Sequence, residues 1–241
     1  MNISKNNITK LDWRCGSDYK DIPVYAHIKN NDAKAVKEFF ENNVLEQKYL
    51  NMLLCLSCTG LTIYDDQYGH DGKSHDYVQR TTEITETLIS YGADIDGLSS
   101  DGTSPMIIAI QYGQHEIGEF LISKNNNIKN NDNLTEMAFD IACCSDNPKF
   151  VKMMLDKGAD PNLKNKGQKR LFKTMGMNHM YKEASEEIAD ILVKAGVDPY
   201  KKDTTKLGSG LSPHYVAINE KFVSKKFIKN LENYKDNSIT K

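Results

Sequence analysis

The string Leu88-Ile89-Ser90-Tyr91-Gly92-Ala93-Asp94-Ile95-Asp96 returns three more times along this 241-residue chain. It comes back as Leu121-Ile122-Ser123-Lys124-Asn125-Asn126-Asn127-Ile128, as Met154-Leu155-Asp156-Lys157-Gly158-Ala159-Asp160-Pro161-Asn162, and as Leu192-Val193-Lys194-Ala195-Gly196-Val197-Asp198-Pro199. The glycine slot therefore recurs at 92, 125, 158 and 196, with spacings of 33, 33 and 38 residues. A fixed period of this size is one supersecondary unit copied in tandem, because each copy buries its apolar face only against its neighbours. A solenoid follows.

Each unit reads as two helices. Ser104 is placed to cap a helix through an otherwise orphaned N–H, and Pro105 suits the first helical turn, where its missing donor costs nothing. Ala109 is small enough for a neighbouring helix to approach, and Gly113 ends this inner helix. Ile117, Phe120 and Leu121 then form the apolar stripe of an outer helix. The glycine at 92, 158 or 196 supplies the left-handed residue that closes it.

The combination of Asp101-Gly102-Thr103-Ser104-Pro105-Met106-Ile107-Ile108-Ala109 with Gly-Ala-Asp after the second helix resembles the ankyrin repeat. The resemblance extends from Val24–Asp32, with Val36, Phe39 and Phe40 outside, to Gly210–Ala217, with Phe222, Phe227, Ile228 and Leu231 outside. The second copy has an inner helix at Leu50–Thr59 and resumes at Ile84, Leu88 and Ile89. The fourth is centred on Ala142. The fifth carries Leu171, Phe172 and Met175 inside, and Ile188, Ile191 and Leu192 outside. The expected fold is all-α: a solenoid of about six helix-turn-helix repeats with a long insertion in the second. Residues 1–20 are an N-terminal extension or cap, 21–234 the repeat domain with its insertion at 61–79, and 235–241 a tail. The copies are degenerate: Thr-Pro survives only as Ser104-Pro105 and Ser212-Pro213, and Asp146 stands where the inner helix commonly ends on glycine.

The resemblance implies a non-catalytic protein-binding scaffold whose contacts come from turn tips and the exposed face of the inner helices. Carried onto this chain, those slots are Ser100, Asp101, Thr103, Gln111 and Tyr112 in the third repeat. The fourth supplies Asn133, Leu134, Glu136, Cys144 and Ser145, and the fifth Lys166, Gly167, Lys169, Met177 and Asn178. Tyr112, Leu134 and Met177 are the apolar anchors among them, since a few residues dominate an interface; Leu134 and Met177 have the alternative of folding back into the core. The insertion adds Tyr64 and Tyr68, beside acidic residues, either as a contact loop or as spacer.

Charge is uneven. Residues 1–148 hold 12 Lys and Arg against 22 Asp and Glu, a net of −10, and residues 149–241 hold 19 against 11, a net of +8. Such a separation either steers an oppositely polarised partner or is solvated surface that serves solubility. The two roles in view for a scaffold are an effector acting on host proteins and an inhibitor of a toxin, for which the acidic N-terminal half suits a basic target. The basic run Lys164–Lys173 falls at a repeat junction without a nucleic-acid motif. No stretch reaches the ~20 apolar residues of a membrane span, the N-terminus lacks a signal-peptide core, and five cysteines without framework spacing point to a reducing compartment. A cytoplasmic monomer without cofactor is expected, whether in the source cell or in a host after specialised secretion.

An enzyme or zinc-dependent module centred on residues 55–76 is the alternative. Cys55, Cys58, His70 and His75 give C-x2-C-x11-H-x4-H, one residue short of a zinc-finger spacing. Against it, the cysteines share a helix with Leu50, Leu53, Leu54 and Leu56, where free cysteine is commonly core.

Overall fold

A computed structural model describes residues 22–60, 79–176, 182–203, 210–219 and 224–238. These residues form twelve α-helices and two short 3-10 turns, with no strand among them. In chain order the helices are α1 (Pro23–Lys29), α2 (Ala33–Asn42), α3 (Gln47–Ser57), α4 (Glu83–Ser90), α5 (Pro105–Gln111), α6 (His115–Lys124), α7 (Asn133–Ala142), α8 (Pro148–Asp156), α9 (Gly167–Gly176), α10 (Lys182–Lys194), α11 (Pro213–Asn219) and α12 (Lys225–Ser238). The chain falls into two compact units that divide after Asn125. Residues 1–20 and 61–78, the expected cap and most of the expected insertion, lie outside the described residues. The last helix runs on to Ser238, past the point where a tail was expected to begin. No helix among the described residues is long and apolar enough to cross a membrane.

In the first unit, α1 packs on α2, α3 on α4 and α5 on α6, while α1 also packs on α3, α3 on α5 and α2 on α4. Inner helices thus stack on inner and outer on outer. One core runs through α1 to α4, built from Val24, Ile28, Val36, Phe40, Leu50, Leu53, Leu54, Ile84 and Leu88. The second unit repeats the scheme, with α7 on α8, α9 on α10, α11 on α12, α8 on α10, α10 on α12 and α9 on α11. Its buried positions include Ala142, Phe150, Met154, Leu171, Ile188, Leu192, Phe227 and Leu231.

The recurring Gly-Ala-Asp has a separate task for each residue. Gly92, Gly158 and Gly196 sit at φ of +100°, +93° and +96°. Around each, the next N–H reaches back to close the outer helix: Ala93 to Leu88, Ala159 to Met154 and Val197 to Leu192, all at 3.0–3.1 Å. This is the Schellman closure, which needs a left-handed residue. The aspartate then accepts an N–H two residues on, at 3.0 Å from Asp96 to Asp94, and at 2.8 Å from Asn162 to Asp160 and from Tyr200 to Asp198. Side-chain amides one repeat earlier grip the same turns. In the first unit Gln47 donates to the Gly92 carbonyl at 2.7 Å and Asn51 accepts from Asp94. In the second, Asn131 donates to Gly158 and Asn162 to Gly196. Asn125 breaks the pattern: it ends α6 in extended backbone, and its side chain donates to Asp96 at 2.8 Å.

A Cβ added at Gly196 meets nothing within 4 Å, so substitution there isolates the backbone term. Gly196→Ala is expected to lower the unfolding free energy by about 1 kcal/mol, with an unchanged urea m-value. An unshifted urea midpoint would show that the left-handed geometry carries no strain.

Candidate functional site

The first unit contains a groove of about 850 Å³ between α3 and α5. One wall is a stripe of α3 at helical spacing, Lys48, Met52, Cys55 and Leu56, continued by Thr59 just past its end, beside Asn51 and the buried Tyr49. The other wall is α5, with Ile108 and Gln111, followed by Tyr112. Residues Leu98 to Asp101 and Thr103 close one end. The volume is in the range of natural binding sites.

Sequence and capping explain why the groove is formed. Ser104 lies in extended backbone and its hydroxyl accepts the Ile107 N–H at 3.4 Å, so α5 begins where it was expected to. Ahead of it, Ser99 builds a closed tip. Its N–H donates to the Thr103 carbonyl at 2.9 Å, its hydroxyl donates to the same oxygen at 2.8 Å, and the Gly102 N–H returns to the Ser99 carbonyl at 3.0 Å. Asp101 stands on this tip and accepts from the Ser99 hydroxyl and the Thr103 N–H. The Ser99 bond, helped by Thr103 against a small desolvation cost, holds the Asp101 carboxyl below the usual range. At Gly97 the turn approaches α3 closely: a Cβ there would sit 2.5 Å from the Asn51 Cγ and 2.9 Å from the Asp94 carbonyl oxygen.

Five residues expected at contact slots, Ser100, Asp101, Thr103, Gln111 and Tyr112, line this one groove. The α3 wall and Leu98, which is 49% exposed, were not anticipated from sequence. The readable signal was a second stripe on α3, Met52 and Leu56, offset from the core stripe of Leu50, Leu53 and Leu54. Cys55 and Cys58 are both buried. Burial raises both thiols, Cys55 to about 12, which disfavours the thiolate that a metal takes. His70, His75, Tyr64, Tyr68, Met177 and Asn178 lie outside the described residues.

In the second unit the expected contact residues behave differently. Glu136 is 6% exposed rather than displayed on the helix face. Lys164 lies 2.5 Å from its carboxylate and 2.9 Å from the Asn133 side-chain oxygen, and Lys166 pairs with the other Glu136 oxygen. Asn133, Glu136 and Lys166 therefore join the Leu163–Asn165 turn to α7. Lys164 takes a left-handed φ of 54° to reach its partners, a conformation that a lysine adopts at a cost of ~1–2 kcal/mol. Leu134 and Lys169 are half-buried, and Met137, one turn beyond Leu134, is the apolar side chain that α7 exposes, at 44%. Met137 lines a second, smaller pocket of about 460 Å³ with Asn133, Glu136, Asp140, Ile141, Cys144, Lys166 and Lys173.

Desolvation opposes ionisation of Glu136, but the two ammonium groups outweigh it and hold the carboxyl below its ordinary value. A depressed folded-state value gives stability that is present above the unfolded pKa, about 4.3, and lost as pH falls through the folded one. The stability difference between wild type and Glu136→Gln is therefore expected to shrink as pH drops below about 4.3. Urea titrations at a series of pH values read this, and a constant difference would contradict it.

A family model described as ankyrin repeats (3 copies) matches residues 75–165. No match is found among curated proteins.

Proposed function

We propose, from the match of residues 75–165 to the ankyrin-repeat model, that the chain is an ankyrin-repeat protein and a non-catalytic scaffold that holds one partner protein in the groove between α3 and α5. Ankyrin repeats generally mediate protein–protein interactions and are typically non-catalytic. The observation that carries the reading is convergence. Five residues selected as turn-tip and inner-helix contacts border one concavity, opposite a stripe of α3 whose Met52 and Leu56 are only partly buried against the core. A preformed concave surface with a few fixed polar groups is what a protein anchor occupies.

The twelve helices are read as six repeats, the second interrupted at 61–79, acting in the cytoplasm as a monomer. An effector on host proteins, or an inhibitor that occludes a toxin, both need no more than this surface. Met137 and its pocket on α7 offer a further contact patch in the second unit.

Affinity purification from the native cell tests the reading, using wild type beside Gln111→Arg and Leu98→Glu. Gln111 and Leu98 are exposed, so both variants are expected to fold. A protein retained by wild type and lost with both variants supports the groove. The same partner retained by all three places the contact elsewhere.

A further inference from the structure

Resting on the groove reading, we propose that the occupant is a protein segment carrying a lysine or arginine beside an aliphatic or aromatic anchor. The anchor lies on Met52, Leu56 and Ile108 and covers the exposed Leu98, while the cation reaches Asp101. Asp101 accepts from the Ser99 hydroxyl and the Thr103 N–H at Oδ1. The carboxylate is thus oriented by the tip, and it stands exposed at the edge of the groove. An oriented, exposed carboxylate takes a charge-assisted bond, best from arginine.

The cation that lines the same groove does not cancel this charge. Lys48 pairs with Glu46 at 3.2 Å and lies 4.8 Å above the Tyr49 ring, so its ammonium is already engaged. The groove's unmatched charge is therefore negative. The described residues of this unit agree in sign: 22–60 and 79–125 carry 6 Lys and Arg against 11 Asp and Glu, a net of −5. Such a field raises the encounter rate with a basic partner and disfavours an acidic one. Methionine in the α3 wall suits an anchor of variable shape, because its unbranched chain repacks.

The test is selection of a random linear peptide library displayed on phage against the full chain, with the bare support as the subtraction control. Enriched sequences are expected to pair Lys or Arg with a nearby Leu, Ile, Met or aromatic residue. A synthetic peptide of the enriched sequence is expected to bind about tenfold more weakly to Asp101→Asn, to recover on Asp101→Glu, and to weaken as salt rises. Asparagine retains the Oδ1 acceptor, so the tip keeps its bonds, and circular dichroism checks that it does. Enriched peptides that are acidic or uncharged overturn the proposal, as does equal affinity for Asp101→Asn. In either case loss of binding on Gln111→Arg would leave the groove reading standing. Peptides that bind Gln111→Arg and Leu98→Glu as well as wild type overturn both, and so does a library with no enrichment over the control.

Discussion

Asp140→Ala is expected to lower the unfolding free energy by about 3–5 kcal/mol, the largest effect of any single polar substitution proposed for this chain. Arg170 is 1% exposed, and its Nε donates to Asp140 at 2.6 Å. A second guanidinium nitrogen donates to the Pro161 carbonyl at 2.8 Å, and the third, Nη2, has no hydrogen-bond partner. The group lies 5.2 Å from the Phe139 ring centroid, which offers it the ring face. Removing the carboxylate leaves this buried cation without its counter-charge. The double variant Asp140→Ala with Arg170→Met removes the charge as well and is expected to recover most of the loss. Chemical denaturation of the four proteins forms the cycle. A single-variant loss below about 1 kcal/mol would show that water reaches Arg170 and screens it.

Leu53→Ala comes next, with an expected loss of about 2–5 kcal/mol. Leu53 is fully buried in the core shared by α1 to α4. It lies on the same helix as Met52 and Leu56, next to the face that lines the groove. Truncation leaves a cavity behind that wall, so stability and partner affinity are expected to fall together. Met52→Ala, at a half-buried groove position, is expected to reduce affinity with a smaller stability loss. Urea unfolding beside titration of the captured partner separates the two. Equal stability losses for both variants would mean that the wall and the core are not distinct faces.

The fold was legible wherever one residue type performs one local task. A glycine that closes an outer helix, a serine that caps an inner one and apolar residues at helical spacing act within a dozen residues, and the structure places them as read. The lining of the groove was legible on one side only. Ser100, Asp101, Thr103, Gln111 and Tyr112 follow from a repeat whose turn motif is intact. The α3 wall belongs to a copy without that motif, and only the offset of Met52 and Leu56 from the core stripe of Leu50, Leu53 and Leu54 set them apart. Glu136 failed for another reason. Its burial depends on Lys164 and Lys166, about one repeat later, as Asp140 depends on Arg170. Residues one period apart become neighbours when repeats stack, so opposite charges at that spacing are pairs rather than free contacts.

Site-specific photo-crosslinking in the native cell is the most direct measurement of where the partner sits. A benzoyl-phenylalanine at Gln111 or Leu98, in the groove, is compared with one at Lys37 or Glu86, exposed on α2 and α4. An adduct with one partner protein from the groove positions, and none from the outer helices, is the expected result. Adducts confined to Lys37 or Glu86 would contradict it and move the binding surface to the opposite face of the repeats.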